Sequence, residues 1–388
     1  MPGKKQAGID RKQFPRRSFL RAAAVVTTTA YFSPAMLLAC DSPLVASNNA
    51  DAMDEALELM RGLAPLTNHG PMAAEALIAL GRSESVLSFV EGYKKRFSSI
   101  YPNASRKVTS ENWREALGDS RRVADWVHFF DDQLAEASYK QVLEEWSPLL
   151  APGLSAAAAH GLIRTAHAAR SLSIQDTALR RHELAEGLSY WAAYHQVLPE
   201  TPEAKGQRMK PMQAIQHVPL LPEEKRSNRG SIMLGLQSLS NFVPFGPVAN
   251  LLEISGDPNR FLTQMTETFV SVYLKNVHRQ NFITLIHTVT GTTALRSLLP
   301  YLSPSSTEKM LRYAWQMAAA LYSISGVSSA NALADEREIK QEDLVDRAVV
   351  SQDEHAIKFT ESCLREYILH PNPLYLQAAN DAVERIRK

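Results

Sequence analysis

The chain has 388 residues, with 42 Lys or Arg against 41 Asp or Glu, and only two cysteines. A formal net charge of +1 with no basic block beyond the N-terminus argues against a nucleic-acid partner. Two cysteines do not make a disulfide scaffold, and the length is ample for one large hydrophobic core or two fused ones.

The N-terminus predicts an export signal rather than part of the fold. A basic head precedes an apolar stretch over 19–39, the order found in signal peptides. Within it, RRSFLR, which contains Arg16 and Arg17, resembles the twin-arginine export motif. LLAC resembles a lipobox in which Cys40 is acylated and becomes the first mature residue. Pro34 and a run of threonines interrupt the apolar stretch, so it does not predict a transmembrane helix.

These motifs predict residues 1–39 as a twin-arginine signal peptide, 40–54 as a tether and 55–388 as the folded domain. Without residues 1–39, which carry seven Lys or Arg and one acid, the formal net charge is −5. The expected partner is the twin-arginine export machinery. The lipid anchor alone is expected to hold the protein at the membrane. We expect the periplasmic face of the inner membrane, or another extracytoplasmic surface. The alternative is a basic tail followed by a buried helix.

The mature chain has the sequence pattern of a helical protein. Apolar residues recur at helical spacing over 51–62, and Gly-Pro, Asp-Pro and Asn-Pro pairs at 70–71, 257–258 and 372–373 resemble helix starts. Alternating strand patterns between turn residues are absent from the sequence. The predicted fold is all-α, a large helical bundle. Residues 199–230 contain five prolines and are either an interdomain linker or, as we favour, a long loop over a cleft.

Four histidines lie in or beside apolar helical segments. His287 lies within FITLIHTVT, His160 follows four alanines, and His69 precedes a helix start. His355 and Lys358 are three residues apart and therefore share a helix face. Each histidine alone fits a hydrogen-bonded core residue, but four converging in a bundle would form a metal site between helices. Their spacing does not show that they converge.

Other polar and aromatic residues admit two interpretations each. Lys358 lies four residues after Glu354, which alone predicts a surface ion pair. Glu75, Arg164 and Glu361 are either supporting partners of a metal site or ordinary ion pairs. A set of aromatic residues at helical spacing is either a substrate pocket or, as we favour, core: Trp126, Phe129, Phe130, Tyr190, Trp191 and Tyr194.

Four segments carry a resemblance to a known family. NHGPMAAEALIALG, HGLIRTAHAARSL, FITLIHTVTGTTALRSLLPYL and HAIKFTESCLREY are similar to the questin oxidase-like family, from about residue 55 to the end. Fungal members of that family open a ring of anthraquinones, by a Baeyer-Villiger type insertion or a dioxygenase cleavage. The resemblance therefore implies an oxidoreductase that acts with dioxygen on a small polycyclic or quinonoid aromatic.

The resemblance also implies a metal site. Carried over residue by residue, it makes His69, His160, His287 and His355 ligands of Fe(II), with Lys358 as a carbamate ligand and catalytic residue. His167 lies seven residues after His160 on the same helix face, and the choice between them stays open. NADPH as a reductant is implied by the family alone. The alternative function is a non-catalytic periplasmic helical lipoprotein that binds a ligand or partner.

The export prediction can be tested by cell fractionation. Replacing Arg16 and Arg17 together by lysine should strand the precursor in the cytoplasm, whereas Arg11→Lys, outside the pair, should leave export intact. Cys40→Ser should abolish lipid labelling. Wild-type protein found free of membranes after export would contradict the lipid anchor.

Overall fold

The computed structural model describes residues 43–63, 68–97, 103–201, 208–226, 231–327 and 338–386. The predicted export signal, with Arg16, Arg17 and Cys40, lies outside these residues. The described residues form helices and no strand, as the all-α prediction requires. No helix among them has the length and apolarity needed to cross a bilayer.

Thirteen helices of eight or more residues are found in the described parts of the chain. In chain order they are α1 Pro43–Met60, α2 His69–Ala79, α3 Val86–Arg96, α4 Val123–Glu136, α5 Tyr139–Leu150, α6 His160–Ile174, α7 Ala178–Ala193, α8 Pro258–Asn276, α9 Phe282–Ala294, α10 Pro304–Ser325, α11 Gln341–Ser351, α12 Glu354–Leu369 and α13 Pro373–Ile386. Shorter α-helices are Trp113–Ala116, Pro211–Ala214 and Ile232–Gln237.

Single turns of 3-10 helix and one longer stretch connect these elements. They are Ser83–Ser85, Ser120–Arg122, Ala151–Gly153, Ile215–His217, Glu223–Lys225, Ser238–Asn241, Val243–Asn250, Leu295–Ser297 and Leu299–Tyr301. The described part of 199–230 therefore holds one four-residue α-helix and two single turns, in keeping with a long irregular segment. Helix α1 begins at Pro43, so the backbone is already helical within the segment predicted as a tether.

Side-chain caps set several helix starts. Asp257 accepts a hydrogen bond from the Arg260 backbone N–H at 2.9 Å, at the Asp-Pro pair singled out in the sequence. Helix α2 begins two residues before Pro71, because the Asn68 side chain accepts from the Gly70 N–H at 3.3 Å. This earlier start makes His69 the first residue of the helix.

Four helices enclose the centre of the bundle. Helix α2 packs against α6 and α12, and α9 packs against the same two helices, so the four form a closed ring. Small residues permit the close packing around it. A Cβ at Gly161, the second residue of α6, would lie 2.5 Å from the Trp191 Cα on α7, so only glycine fits there.

The aromatic residues form core, as favoured from the sequence. Trp126, Phe130 and Trp191 are completely buried, while Tyr194 is partly buried and packs on the core. Trp126 and Phe130 stack with ring centroids 5.6 Å apart, and the Trp146 ring meets Phe130 edge-on at 5.1 Å. This cluster belongs to α4 and α5, which are not members of the four-helix ring.

Candidate metal centre

The four-helix ring contributes one histidine from each helix. The imidazole centroids of neighbouring histidines lie close together. They are 4.6 Å apart for His69 and His160, 4.5 Å for His160 and His287, 5.7 Å for His287 and His355, and 4.8 Å for His355 and His69. The four predicted histidines therefore lie around one centre: ligand nitrogens of His69, His160 and His355 all lie within 4.8 Å of one another, and His287 joins this group through its contact with His160. His160 and His287 are buried, whereas His69 and His355 keep 12% and 16% of their side chains exposed.

Helix starts explain why the four imidazoles meet at one level. His69 and His160 are the first residues of α2 and α6, His355 is the second residue of α12, and His287 lies in the second turn of α9. Side chains in a helix lean toward its N-terminus, so those of the first turn project past the helix end. The imidazoles accordingly gather at the end of the ring where α2, α6 and α12 begin.

Backbone carbonyls fix the protons of the two buried imidazoles. The Nδ1–H of His160 donates to the Ala157 carbonyl, and that of His287 donates to the Ile283 carbonyl at 2.6 Å. A carbonyl oxygen can only accept, so Nδ1 carries the proton and Nε2 of each neutral ring presents a lone pair. These two Nε2 atoms face each other at 3.0 Å.

Two lone pairs at this separation repel unless a cation lies between them. A second proton on either ring is disfavoured, because burial and the neighbouring imidazole His355 lower the pKa of His287 to about 3. Burial, followed by the neighbouring His287, also moves the pKa of His160 well below its ordinary value. A metal ion held by both Nε2 atoms would remove this repulsion. With metal–nitrogen bonds of about 2.1 Å, nitrogens 3.0 Å apart subtend roughly 90°, the angle between adjacent octahedral positions.

Lys358 lies one turn after His355 on α12 and is buried, with 3% of its surface exposed. The surface ion pair that its spacing offers is not formed, because Glu354 pairs instead with Arg96 at 3.0 Å. Burial lowers the pKa of Lys358 to about 8, against the opposing charges of Glu354 and Asp353. The neutral amine is therefore accessible near neutral pH.

His167, the alternative to His160, lies outside the imidazole ring. Its Nδ1 contacts Glu75 Oε2 at 2.6 Å, two turns along α6 from His160. Glu75 also accepts from the Arg170 Nε at 2.6 Å. Arg170 and His167 hold the pKa of Glu75 at about 2 although burial alone would raise it. The geometry thus places His160 in the ring and His167 in a supporting layer.

This supporting layer links all four helices of the ring. Arg170 bridges Glu75 on α2 and Glu361 on α12, and Arg365 reaches the Thr293 carbonyl on α9 at 3.3 Å. Glu75 and Glu361 both lie in this layer, where they pair with Arg170. Arg164 pairs with Glu183 at 2.6 Å on the side of α7. A supporting role of these three residues toward a metal stays a prediction. Arg170 was not predicted from the sequence as a functional residue, although it lies three residues after His167 and therefore on the same helix face.

The sequence model described as questin oxidase-like matches residues 66–239 and 247–363, most of the chain. The chain belongs to the questin oxidase-like family. The matched ranges include His69, His160, His287, His355 and Lys358. Membership indicates an oxidoreductase, an oxidase acting on anthraquinones. Among curated proteins the chain has no significant match.

In this questin oxidase-like protein a strained turn orients one of the buried histidines. Ala157, Ala158 and Ala159 have φ of 45°, 60° and 67°, the left-handed region that alanine seldom adopts. The turn brings the Ala157 carbonyl onto His160 Nδ1. Gly291, one turn after His287, leaves room for it, since a Cβ there would lie 3.2 Å from the Ala159 Cβ. Strain of this kind is found where a site requires a fixed geometry.

Glycine substitution should reveal the strain. Ala158→Gly removes a left-handed penalty of about 1–2 kcal/mol, whereas Ala166→Gly, at an equally buried site inside α6, removes none. We therefore expect Ala158→Gly to be at least about 1 kcal/mol less destabilising than Ala166→Gly in urea unfolding. Equal losses of unfolding free energy in the two variants would show that the turn is not strained.

Proposed function

We propose that this protein is a non-haem iron oxygenase or oxidase that opens a ring of a polycyclic or quinonoid aromatic. The observation that carries the proposal is the pair of buried Nε2 atoms, on His160 and His287, facing each other at 3.0 Å. Imidazole ligands suit iron among the divalent metals, and a hard anionic oxygen beside them favours oxygen chemistry. Family membership supports the same class of reaction.

The residues proposed to hold Fe(II) are His69, His160, His287 and His355, together with Lys358 as a carbamate. When bound, the iron would supply the electrons that activate dioxygen toward the aromatic ring. The protein provides neutral imidazoles whose protons are fixed on Nδ1 and a dry surface on the His160–His287 side. The partly exposed His69–His355 side is where an aromatic substrate and dioxygen would enter.

Charge balance supports a carbamate on Lys358. The ion pairs of the supporting layer and those beside His69 and His355, taken together with Lys358, comprise four carboxylates and four cations: Asp353, Glu354, Glu75 and Glu361 against Arg96, Arg170, Arg365 and Lys358. With Lys358 as an ammonium this set is neutral, so a buried dication would leave two uncompensated charges. Conversion of the ammonium to a carbamate changes the charge by two units in the negative direction and restores neutrality.

The carbamate needs only carbon dioxide. The neutral Nζ of Lys358 attacks the carbon of carbon dioxide and an N–C bond forms. One electron pair of a C=O bond moves onto its oxygen, and one N–H proton leaves to solvent. Burial of Lys358 favours the neutral amine that this step requires. The anionic oxygen that results would be offered to the imidazole cluster from one turn after His355 on α12.

The proposal also includes the cellular location of the protein and the reductant it would use. We place the mature protein outside the cytoplasm as a lipoprotein on Cys40, since the twin-arginine route carries folded proteins and would permit iron loading before export. NADPH is proposed as an external reductant on the family resemblance. The sequence lacks a Gly-rich nucleotide fingerprint, so this reductant would act through the open His69–His355 side rather than through a nucleotide domain.

Metal content and carbamate labelling test this function together. The mature protein purified anaerobically should hold about one iron per chain, and [13C]bicarbonate should give a carbamate resonance that Lys358→Ala lacks. Lys358→Arg and Lys358→Ala should lose oxygenase activity, with partial recovery of the alanine variant in acetate. His217→Ala, at an exposed histidine outside the four ring helices, is the control. Active iron-loaded protein with a bare Lys358 ammonium would refute the carbamate, and absence of iron would favour a non-catalytic binding lipoprotein.

A further inference from the structure

The four histidines of the ring differ in what lies behind them. The buried pair, His160 and His287, is backed by neutral backbone carbonyls. The partly exposed pair is backed by carboxylates: His69 Nδ1 lies 3.9 Å from Glu354 Oε1, and His355 Nδ1 lies 3.7 Å from Asp353 Oδ1. The two carboxylates are consecutive residues and adjoin His355 itself. The open edge of the site is therefore also its negatively charged edge.

Both carboxylates are held in place by the fold. Asp353 caps α12 by accepting from the backbone N–H groups of His355 at 2.8 Å and Ala356 at 3.1 Å. Glu354 is fixed by Arg96, which reaches across from the end of α3 to a distance of 3.0 Å. The Glu354 side chain is only 10% exposed, so solvent screens its charge weakly. Arg96, 45% exposed, brings the opposing charge from outside.

We propose that Asp353 and Glu354 are positioning residues that orient His355 and His69 and increase their electron donation to the metal, and that Arg96 moderates Glu354. The inference rests on the proposed function, because it assigns these residues a role toward a metal in the ring. At 3.9 and 3.7 Å the two contacts are longer than hydrogen bonds, so the carboxylates act on the imidazoles through their negative charge, which favours electron donation from the rings to a bound metal. Loss of such a carboxylate typically weakens metal binding about 10–100-fold.

Because Arg96 and Glu354 form an ion pair, the direction in which Arg96→Gln changes metal affinity tests the proposal. If Glu354 acts through its charge, Glu354→Gln weakens metal binding, whereas Arg96→Gln unmasks the carboxylate and strengthens it. If the pair merely braces α3 against α12, both substitutions loosen the site in the same direction. Asp353→Asn separates charge from capping, because asparagine caps a helix about as well as aspartate.

The experiment is a competition titration of the metal-free mature protein with Co(II) against a chromophoric chelator. Glu354→Gln and Asp353→Asn should each bind Co(II) about 10–100-fold more weakly than wild type, and Arg96→Gln more tightly. Glu342→Gln, on the exposed face of α11, is the matched control and should leave affinity unchanged. Loaded with iron, Glu354→Gln should have a higher ferric/ferrous midpoint potential and Arg96→Gln a lower one, since negative charge favours the ferric ion.

The outcomes separate this inference from the proposed function. Wild-type protein that binds no Co(II) or iron overturns both. Tight binding by wild type together with weaker binding in both Glu354→Gln and Arg96→Gln overturns the electrostatic role alone. The thermal stability of the metal-free variants is measured in parallel, and unchanged affinity in a folded Asp353→Asn variant removes Asp353 from the proposal.

Discussion

Two buried imidazole nitrogens that face each other at 3.0 Å constrain the whole site. Carbonyls on the far side of each ring hold the Nδ1 protons of His160 and His287, so the two Nε2 lone pairs repel each other in the absence of a cation. The proposed metal ion would remove this repulsion, and its charge would have to be balanced in so buried an environment. The adjacent Lys358, buried and with a lowered pKa, lies where that balance can be made.

The surrounding structure holds the two imidazoles in this unfavourable arrangement. Helices α2, α6 and α12 begin at the site, so their first-turn histidines share one level. Beneath them, Arg170 and the carboxylates of Glu75 and Glu361 tie three of the helices together through ion pairs that burial strengthens. The left-handed turn at Ala157–Ala159 aims a carbonyl at His160. The carbonyl contacts restrict the orientation of the His160 and His287 imidazoles, as expected of a preorganised site.

Much of this could be predicted from sequence, and the remainder could not for identifiable reasons. Helical periodicity and caps such as Asp257 depend on neighbouring residues, so the all-α class and most helices were predictable. The convergence of His69, His160, His287 and His355 depends on packing between distant helices, which spacing does not encode. His167 shares a helix face with His160, and only tertiary structure separates them. The left-handed backbone at Ala157–Ala159 could not be predicted from the sequence, because alanine is a strong helix former.

Diffraction at the iron absorption edge, on crystals of the iron-loaded protein, tests the central claim most directly. The account predicts one anomalous peak in the ring, within bonding distance of the Nε2 atoms of both His160 and His287, with continuous density extending from Lys358 Nζ toward it. The account would be contradicted by active, iron-containing protein whose anomalous peak lies elsewhere, or by His160 and His287 joined through a proton with no metal in the ring.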